Sequence, residues 1–286
     1  MLYTIADLTK QRARAKGYCL HIRSLRVRRG DRIAVTGPSG CGKSTMLDVL
    51  GLALQPDAAR VFRFAPQGEE HGTDIMPLWA HKGLDAMADL RLHHMGYVLQ
   101  TGGLLPFVNV LENMTLTARM NGLAPADARD AVCPLAERLG IAHLLTAMPA
   151  TLSVGERQRV AIVRALAPRP RLILADEPTA ALDPLHAARV MEIFLHAVEE
   201  QGGTLIMVTH DADFARRGGL REVRFQLEEQ EQGVRAVLDD GTDTTAQNAG
   251  NGPAVTAAVP AASSNEGACT AANNTAAARE DAPCTD

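Results

Sequence analysis

A glycine-rich segment near the start of the chain has the residue types needed to hold phosphate groups. The segment GPSGCGKST, residues 37–45, matches the pattern G-x-x-x-x-G-K-[ST], with an apolar run before it and a helical pattern after it. Glycines let backbone N–H groups turn toward phosphate oxygens, and the helix N-terminus adds partial positive charge. We expect Lys43 to reach the β and γ phosphates of a nucleotide and Ser44 to ligate Mg²⁺. The predicted nucleotide contacts are Gly37, Pro38, Ser39, Gly40, Cys41, Gly42, Lys43, Ser44 and Thr45.

One of the cysteines of the chain, Cys41, lies inside this glycine-rich segment. The chain has 5 cysteines, an odd number, with no CxxC spacing, which favours a reduced, cytosolic protein without a structural zinc site. Cys41 is either a small filler at a variable position or a thiol whose modification blocks nucleotide entry.

Two adjacent acidic residues end a second apolar run. In LILADE, four apolar residues lead to Asp176 and Glu177, and open α/β sheets place ligand-facing residues at such strand ends. Asp176 is predicted to hold Mg²⁺ through water, and Glu177 to polarise the water that attacks the γ-phosphate.

The segment LSVGE, residues 152–156, reads as the start of a helix. Ser153 and Glu156 have the S-x-x-E spacing of a capping box, in which each residue accepts a hydrogen bond from the backbone of the other. Val154 then falls at the first helical position, where a β-branched residue is tolerable, and Gly155 can present its N–H to an anion. The chain is therefore predicted to have a second anion site besides the phosphate loop.

In the chain the order is the phosphate loop, Gln100, LSVGE, LILADE, Asp183 and His210. In this order the segments resemble those of ATP-binding cassette (ABC) proteins over about residues 1–240. Three single residues complete the resemblance, which implies that Gln100 senses Mg²⁺ and the attacking water and that His210 contacts the γ-phosphate. It implies that Asp183 aligns the site of a partner. In this family the signature, here Ser153 and Gly155, completes the ATP site of a second subunit, so a head-to-tail dimer around two Mg-ATP is expected, either a homodimer or a paired cassette.

Two positions depart from the family pattern. LSVGE replaces the usual LSGGQ, but a helix that begins at Val154 still has Ser153 as its N-cap and can still present the Gly155 N–H to an anion. The aromatic residue that stacks on adenine is missing, and in DLTKQRA its position is most nearly Arg12. A planar guanidinium can substitute by stacking; otherwise Tyr3 or Tyr18 is the candidate.

The segment after Gln100, TGGLLPFVNVLENM, is similar to that of cassettes of the lipoprotein-release and macrolide-efflux type. This resemblance implies a separate integral-membrane permease as partner, export or lipid extraction as the process, and a position at the inner face of the cytoplasmic membrane. Within the segment, Leu104, Leu105, Phe107 and Val108 either receive a coupling helix of the permease or form the first core layer of a helical subdomain. Two other functions stay open: a degenerate cassette that regulates a partner without turnover, and a soluble cassette ATPase unrelated to transport.

Short apolar runs alternate with helical patterns along the chain. This alternation predicts the strands and helices that must position the residues named above. The runs IAVTG, GYVLQ, LILADE and LIMVTH are apolar throughout, as parallel strands covered on both faces are. The fold class is α/β with a parallel sheet, and the family resemblance implies a P-loop NTPase fold with an N-terminal antiparallel β subdomain. Residues 1–241 are predicted to form the ATPase domain, with an inserted α-helical subdomain over about 101–167.

Residues 1–241, the body of the chain, and the last 45 residues differ in net charge. The segment 242–286 is rich in Ala, Thr, Asn and Gly and has five acidic residues against Arg279, which accounts for the whole net charge of −4. Such a segment cannot offset its ordering entropy by burial, so we expect a disordered tail, or otherwise a weakly helical patch or docking peptide. The neutral body argues against nucleic acid as a partner. No run approaches the roughly 18 to 20 apolar residues that span a bilayer.

Overall fold

The computed structural model describes residues 1–11, 17–68, 72–80, 83–180, 182–230, 233–241 and 255–256. Its strands are β1 (Tyr3–Gln11), β2 (Tyr18–Val27), β3 (Arg32–Thr36), β4 (Ala58–Ala59), β5 (Val61–Phe64), β6 (Thr73–Asp74), β7 (Met95–Val98), β8 (Leu172–Asp176), β9 (Thr204–Val208), β10 (Arg221–Gln230), β11 (Gly233–Asp239) and β12 (Val255–Thr256). Its α-helices are α1 (Lys43–Leu50), α2 (Ile75–Ala80), α3 (Leu84–His94), α4 (Val110–Met120), α5 (Pro125–Arg138), α6 (Val154–Leu166), α7 (Pro184–Glu200) and α8 (Ala212–Arg217).

Five parallel strands form the part of the sheet that positions the site. Their order is β10-β3-β9-β8-β7. Strands β8 and β9 are buried along their whole length, because helices cover both faces as the continuous apolar runs predict. The α/β class and the parallel pairing of the four predicted strands are confirmed.

The amino-terminal strands form an antiparallel extension of the same sheet. Strand β1 pairs antiparallel with β2 and with β5, and β11 joins this part to the parallel strands by pairing with both β2 and β10. The extension buries Tyr3, Phe62 and Phe64, whose rings stack with centroid separations of 4.7 and 6.0 Å. Helices α4, α5 and α6 lie between β7 and β8 in the chain, inside the range predicted for the helical subdomain.

The apolar interior consists of two clusters on the two sides of the parallel strands. One contains the antiparallel extension, α1 and alternate residues of the strands, and the other contains the buried faces of α4 to α7. Strand side chains alternate between them: Leu172 and Leu174 belong to the first, and Ile173 and Ala175 to the second. Core packing on both faces therefore holds the strand ends in place.

One short part of the segment predicted to be a tail lies among the described residues. Val255–Thr256 pairs antiparallel with Ala58–Ala59 of β4. The rest of the predicted tail, 242–254 and 257–286, lies outside the described residues. Among the described helices, none is both long and apolar enough to cross a membrane.

Candidate nucleotide-binding site

The phosphate loop leaves β3 and enters α1 with no side chain capping the helix. Gly42 is the N-cap, with φ 88°, and the first turn carries no acidic residue. The first N–H groups of α1 therefore stay available for an anion. Gly42 also has no room for a side chain, because an added Cβ would lie 2.8 Å from the Tyr18 hydroxyl oxygen. Backbone conformation and packing both require glycine here.

Lys43 is a buried cation without an acidic partner among the described residues. Its Nζ donates to the carbonyl oxygens of Gly37 and Pro38, each at 2.9 Å, and the residue is 9% exposed. Two carbonyls leave the ammonium charge uncompensated, which is costly in a buried site. This arrangement is suited to an incoming polyanion.

Cys41 is buried at 1% exposure beneath this loop. Its Sγ would lie 3.1 Å from a Cβ added at Gly37, so the thiol fills the space that Gly37 leaves. Burial raises the pKa of the Cys41 thiol, outweighing the opposing effect of Lys43. A buried, protonated thiol reacts poorly, which favours the filler over the modification site.

The register of the parallel strands brings the remaining predicted residues to one edge of the sheet. Val35 lies opposite Val208, and Val208 opposite Asp176. The segments that begin at Gly37, Thr209 and Glu177 therefore start side by side, as ligand-binding segments do in open α/β sheets.

Glu177 and His210 face each other at this edge. Glu177 Oε2 lies 3.6 Å from His210 Nδ1, and the side chains are 22% and 71% exposed. Glu177 has φ 46°, a left-handed conformation unusual for a non-glycine residue, and its N–H donates to the Val208 carbonyl at 3.1 Å. Strained backbone of this kind persists where the surroundings over-determine it, often at functional sites. A cavity of about 290 Å³ adjoins both side chains, which leaves room for water at the carboxylate.

The donor set at the sheet edge fits a hard divalent cation. Ser44 is exposed on the first turn of α1, and Asp176 is a buried carboxylate at the end of β8. Hydroxyl and carboxylate oxygens are the ligands that Mg²⁺ prefers, together with waters and substrate phosphates. These two residues can hold Mg²⁺ only if the nucleotide supplies further oxygens.

Sequence reasoning missed a second carboxylate behind this position. Asp48 of α1 accepts a hydrogen bond from the Tyr97 hydroxyl at 3.1 Å. Burial raises the pKa of the Asp48 carboxyl, and the charge of Asp176 adds to the rise. The only sequence signal was one acid within the apolar run of α1.

The predicted capping box at the start of α6 is confirmed. The Ser153 hydroxyl oxygen accepts from the Glu156 N–H at 3.2 Å, and Glu156 Oε2 accepts from the Ser153 N–H at 2.8 Å. Val154 is the first helical residue and is 50% exposed. Hydrogen bonds from the Ser153 backbone and hydroxyl lower the pKa of Glu156.

Gly155 contacts a residue that sequence reasoning did not connect with it. A Cβ added at Gly155 would lie 2.5 Å from Leu182 Cδ2. Leu182 belongs to the segment that follows Glu177, and it packs against the core cluster that contains α6. The catalytic candidate and the signature segment are therefore joined through one packing contact in the same chain.

We expect Gly155→Ala to lower the free energy of unfolding by about 1 kcal/mol, the low end for overpacking, because only the tip of a flexible side chain must move. Combined with Leu182→Ala, the loss should be smaller than the sum of the two single losses, since the shorter side chain removes the clash. Thermal unfolding of the two single variants and the double variant measures the coupling. Additive effects would mean that the two residues do not meet.

The loop that carries Gln100 is held by α6. Gln158 Nε2 donates to the Leu99 carbonyl at 3.2 Å, and Arg164 donates to the carbonyls of Gly102 and Gly103 at 2.8 and 2.9 Å. Gln100 itself is exposed in the turn after β7, the strand next to β8. Side chains of α6 therefore hold the backbone on both sides of Gln100.

Asp183 is the N-cap of α7. Its side chain accepts from the His186 N–H at 3.2 Å and lies 2.7 Å from His186 Nδ1. These contacts lower the pKa of the Asp183 carboxyl. The Asp183 side chain is exposed, at 59%.

Two of the three candidates for stacking on adenine, Tyr3 and Tyr18, lie among the described residues. Arg12 lies outside the described residues. Tyr3 is fully buried, and its hydroxyl donates to the Leu50 carbonyl, so it is unavailable to a ligand. Tyr18 is half-buried against the phosphate loop at Gly42, which leaves it as the candidate of the two tyrosines.

The chain resembles ATP-binding subunits of transporters over most of its length. The family model described as ABC transporter matches residues 20–180. A protein named "Lipoprotein-releasing system ATP-binding protein LolD" from Novosphingobium aromaticivorans is 42% identical over 194 residues, covering 68% of this chain and 82% of the relative. Its counterpart in Shewanella denitrificans is 37% identical over 198 residues, covering 69% and 80%. The "Uncharacterized ABC transporter ATP-binding protein YbbA" of Escherichia coli is 39% identical over 206 residues, covering 71% and 86%.

Solved structures agree with this assignment. The "Dimeric Structure of MJ0796, a Bacterial ABC Transporter Cassette" has a TM-score of 0.65 at 28% identity, covering 78% of this chain and 94% of that one. A second structure of MJ0796, described as a post-hydrolysis state bound to ADP and Pi, matches to the same extent. The chain therefore belongs to the ABC transporter family of ATP-binding cassettes and is an ATPase.

Proposed function

We propose that this chain is the nucleotide-binding subunit of a transporter, that it dimerises around two Mg-ATP and that it powers a separate membrane permease. The Glu177–His210 pair, 3.6 Å apart at the sheet edge where the phosphate loop begins, carries the hydrolytic part of the proposal. The lipoprotein-release names of the relatives favour export or lipoprotein extraction as the process. A subunit bound to such a permease would sit at the inner face of the cytoplasmic membrane.

Hydrolysis follows from the roles that these residues can take. Water attacks the γ-phosphorus while Glu177 accepts its proton, the bond to the bridging oxygen of ADP breaks, and inorganic phosphate forms. Lys43 and the uncapped N–H groups of α1 stabilise negative charge on the phosphates, and His210 contacts the γ-phosphate. Mg²⁺, held by Ser44 and Asp176 with Gln100 nearby, would neutralise phosphate charge when bound.

A second subunit is needed because the chain presents two different half-sites. The phosphate loop offers one set of N–H groups, and the start of α6 offers another, with Ser153 and Gly155 at a separate helix N-terminus. In a head-to-tail pair each signature would cover the nucleotide on the other cassette. The dimeric form described for MJ0796 supports this arrangement.

Light scattering on the full chain tests the dimer. A Mg²⁺ complex of a slowly hydrolysed ATP analogue should convert monomer to dimer, and Mg-ADP should not. A chain that stays monomeric at saturating analogue would contradict the dimer. ATP turnover by purified protein distinguishes this function from a degenerate cassette that only regulates a partner.

The loop after Gln100 supports a permease-docking surface. Asn113 is fully buried, and it bonds both backbone polar groups of Leu105 and the Val108 carbonyl at 2.8 to 3.1 Å. This rigid loop packs Leu104 against the helical core while Phe107 remains 73% exposed. The two interpretations of the segment therefore apply to different residues. Leu104 belongs to the core, and Phe107 can contact a partner.

A groove lies next to this loop. A cavity of about 300 Å³ runs along β7 between α3, α4 and α6, and Arg164, which holds the loop carbonyls, is among its lining residues. Strand β7 is the last strand on this side of the sheet among the described residues. We assign to the permease the exposed Phe107 and the groove, which Arg164 links to the start of the same loop.

Phe107→Asp is expected to lower the affinity for the permease by about 30-fold or more, the range of an aromatic hot spot. ATP hydrolysis by the isolated chain should be unchanged, because Phe107 is exposed and is not among the predicted nucleotide or metal contacts. Co-purification from native membranes measures the loss. Leu227→Asp, at another exposed apolar position on β10, is the matched control. Equal co-purification of both variants would remove Phe107 from the docking surface.

A further inference from the structure

The start of α6 carries a negative charge where the proposed dimer needs to receive a phosphate. Glu156 Oε2 accepts two hydrogen bonds from Ser153, one from its N–H and one from its hydroxyl, each at 2.8 Å. The single hydroxyl proton of Ser153 is therefore already bound to a carboxylate in the free cassette. To donate to a phosphate oxygen, this hydroxyl must first leave Glu156.

Charge adds to the cost of that exchange. Glu156 lies in the first turn of α6, where the helix dipole stabilises a carboxylate. This negative charge reduces the attraction of the helix N-terminus for a second anion. The hydrogen bonds from Ser153 lower the pKa of Glu156, with Arg159 and His143 contributing, so the group is ionised at neutral pH. The guanidinium of the next residue, Arg157, donates to the Leu152 carbonyl at 2.5 Å and not to Glu156.

We propose that Glu156 is a positioning residue that weakens the ATP-bound dimer, by holding the Ser153 hydroxyl and by repelling the γ-phosphate of the facing subunit. This inference rests on the proposed function, since it requires the head-to-tail dimer. It gives the departure from LSGGQ a role: the carboxylate keeps the helix cap and lowers the stability of the ATP-bound dimer.

Glu156→Gln separates the role of Glu156 in capping the helix from the effect of its charge. The amide oxygen of Gln can still accept from the Ser153 N–H, so the cap remains, whereas the charge is lost. The chain offers a matched control at α4, where Asn109 and Glu112 form a capping box of the same kind, with 2.8 and 2.9 Å hydrogen bonds. Glu112→Gln removes one equivalent charge away from the signature segment.

The experiment compares full-length Glu177→Gln with and without each second substitution, in saturating Mg-ATP, by light scattering over a range of protein and salt concentrations. Adding Glu156→Gln should lower the dimer dissociation constant by about tenfold or more, as expected for a hydrogen bond to a charged group. Because salt screens repulsion, rising salt should tighten the dimer that keeps Glu156 and have less effect on the Glu156→Gln dimer. Adding Glu112→Gln should change neither value.

Two outcomes overturn this inference. An unchanged dissociation constant and salt dependence with Glu156→Gln would show that the charge does not act on the dimer. A change of the same size with Glu112→Gln would show a general effect of net charge. If Glu177→Gln alone fails to dimerise with Mg-ATP, the proposed dimer itself is wrong, which is a different result from either.

Discussion

Glu177→Gln is expected to lower the rate of ATP hydrolysis by about 10²- to 10⁴-fold, the contribution typical of a general base. The side chain lies at the sheet edge with its carboxylate toward His210 and an adjoining cavity. Gln keeps the size and the hydrogen-bonding shape of Glu but cannot accept a proton from water. ATP affinity should stay within a few fold, because Glu177 acts on the attacking water.

Steady-state hydrolysis and equilibrium ATP binding by purified protein measure the two effects separately. Asp213→Asn is the control, since Asp213 is an exposed acid of α8 whose carboxylate is engaged by Arg216 at 2.6 Å. It should retain full activity. If Glu177→Gln hydrolyses ATP at the parental rate, another group is the base and the assignment of Glu177 is wrong.

Lys43→Ala is expected to weaken ATP binding by about 30-fold to several thousandfold, the cost of truncating one partner of a buried, hydrogen-bonded charge pair. In the free cassette Nζ contacts only carbonyl oxygens among the described residues, at 2.9 Å. Phosphate oxygens would supply the missing negative charge. Removing the cation therefore removes the main electrostatic gain of binding, whereas the free protein loses little.

Thermal unfolding with increasing ATP separates binding from folding, because a ligand stabilises only the state that binds it. The parent chain should gain stability with ATP, and Lys43→Ala should start at a similar midpoint and gain almost none. Lys10→Ala is the control: Lys10 is paired with Asp57 on the surface at 2.8 Å, a kind of contact that contributes little. A lower midpoint for Lys43→Ala without ATP would mean that the lysine stabilises the fold itself.

Short-range contacts were predictable from the sequence. The box between Ser153 and Glu156 spans three residues, and its donors and acceptors are fixed as soon as α6 forms. The glycine-rich loop before α1 and the apolar strand before Asp176 are likewise local patterns, in which residue type determines backbone conformation. For these features the family resemblance added the functional roles of the residues, whereas the local sequence already predicted their backbone geometry.

Contacts between distant segments were not predictable in the same way. The Gly155–Leu182 contact and the hydrogen bond from Gln158 to the Leu99 carbonyl depend on which way each side chain points after packing. The sequence also left Tyr3 available for adenine, although its ring is buried among Phe62 and Phe64. Only the burial of the antiparallel extension removed that option.

The sequence by itself determined that the chain has a phosphate loop, an acidic strand end and a capped signature helix, because each depends on residues a few positions apart. Tertiary structure alone decided that the strands align in the order that brings Gly37, Glu177 and His210 to one edge. It also decided that Leu182 packs against Gly155 at the start of α6. The physical reason is that strand register and side-chain direction arise from packing across the whole core, which no short segment specifies.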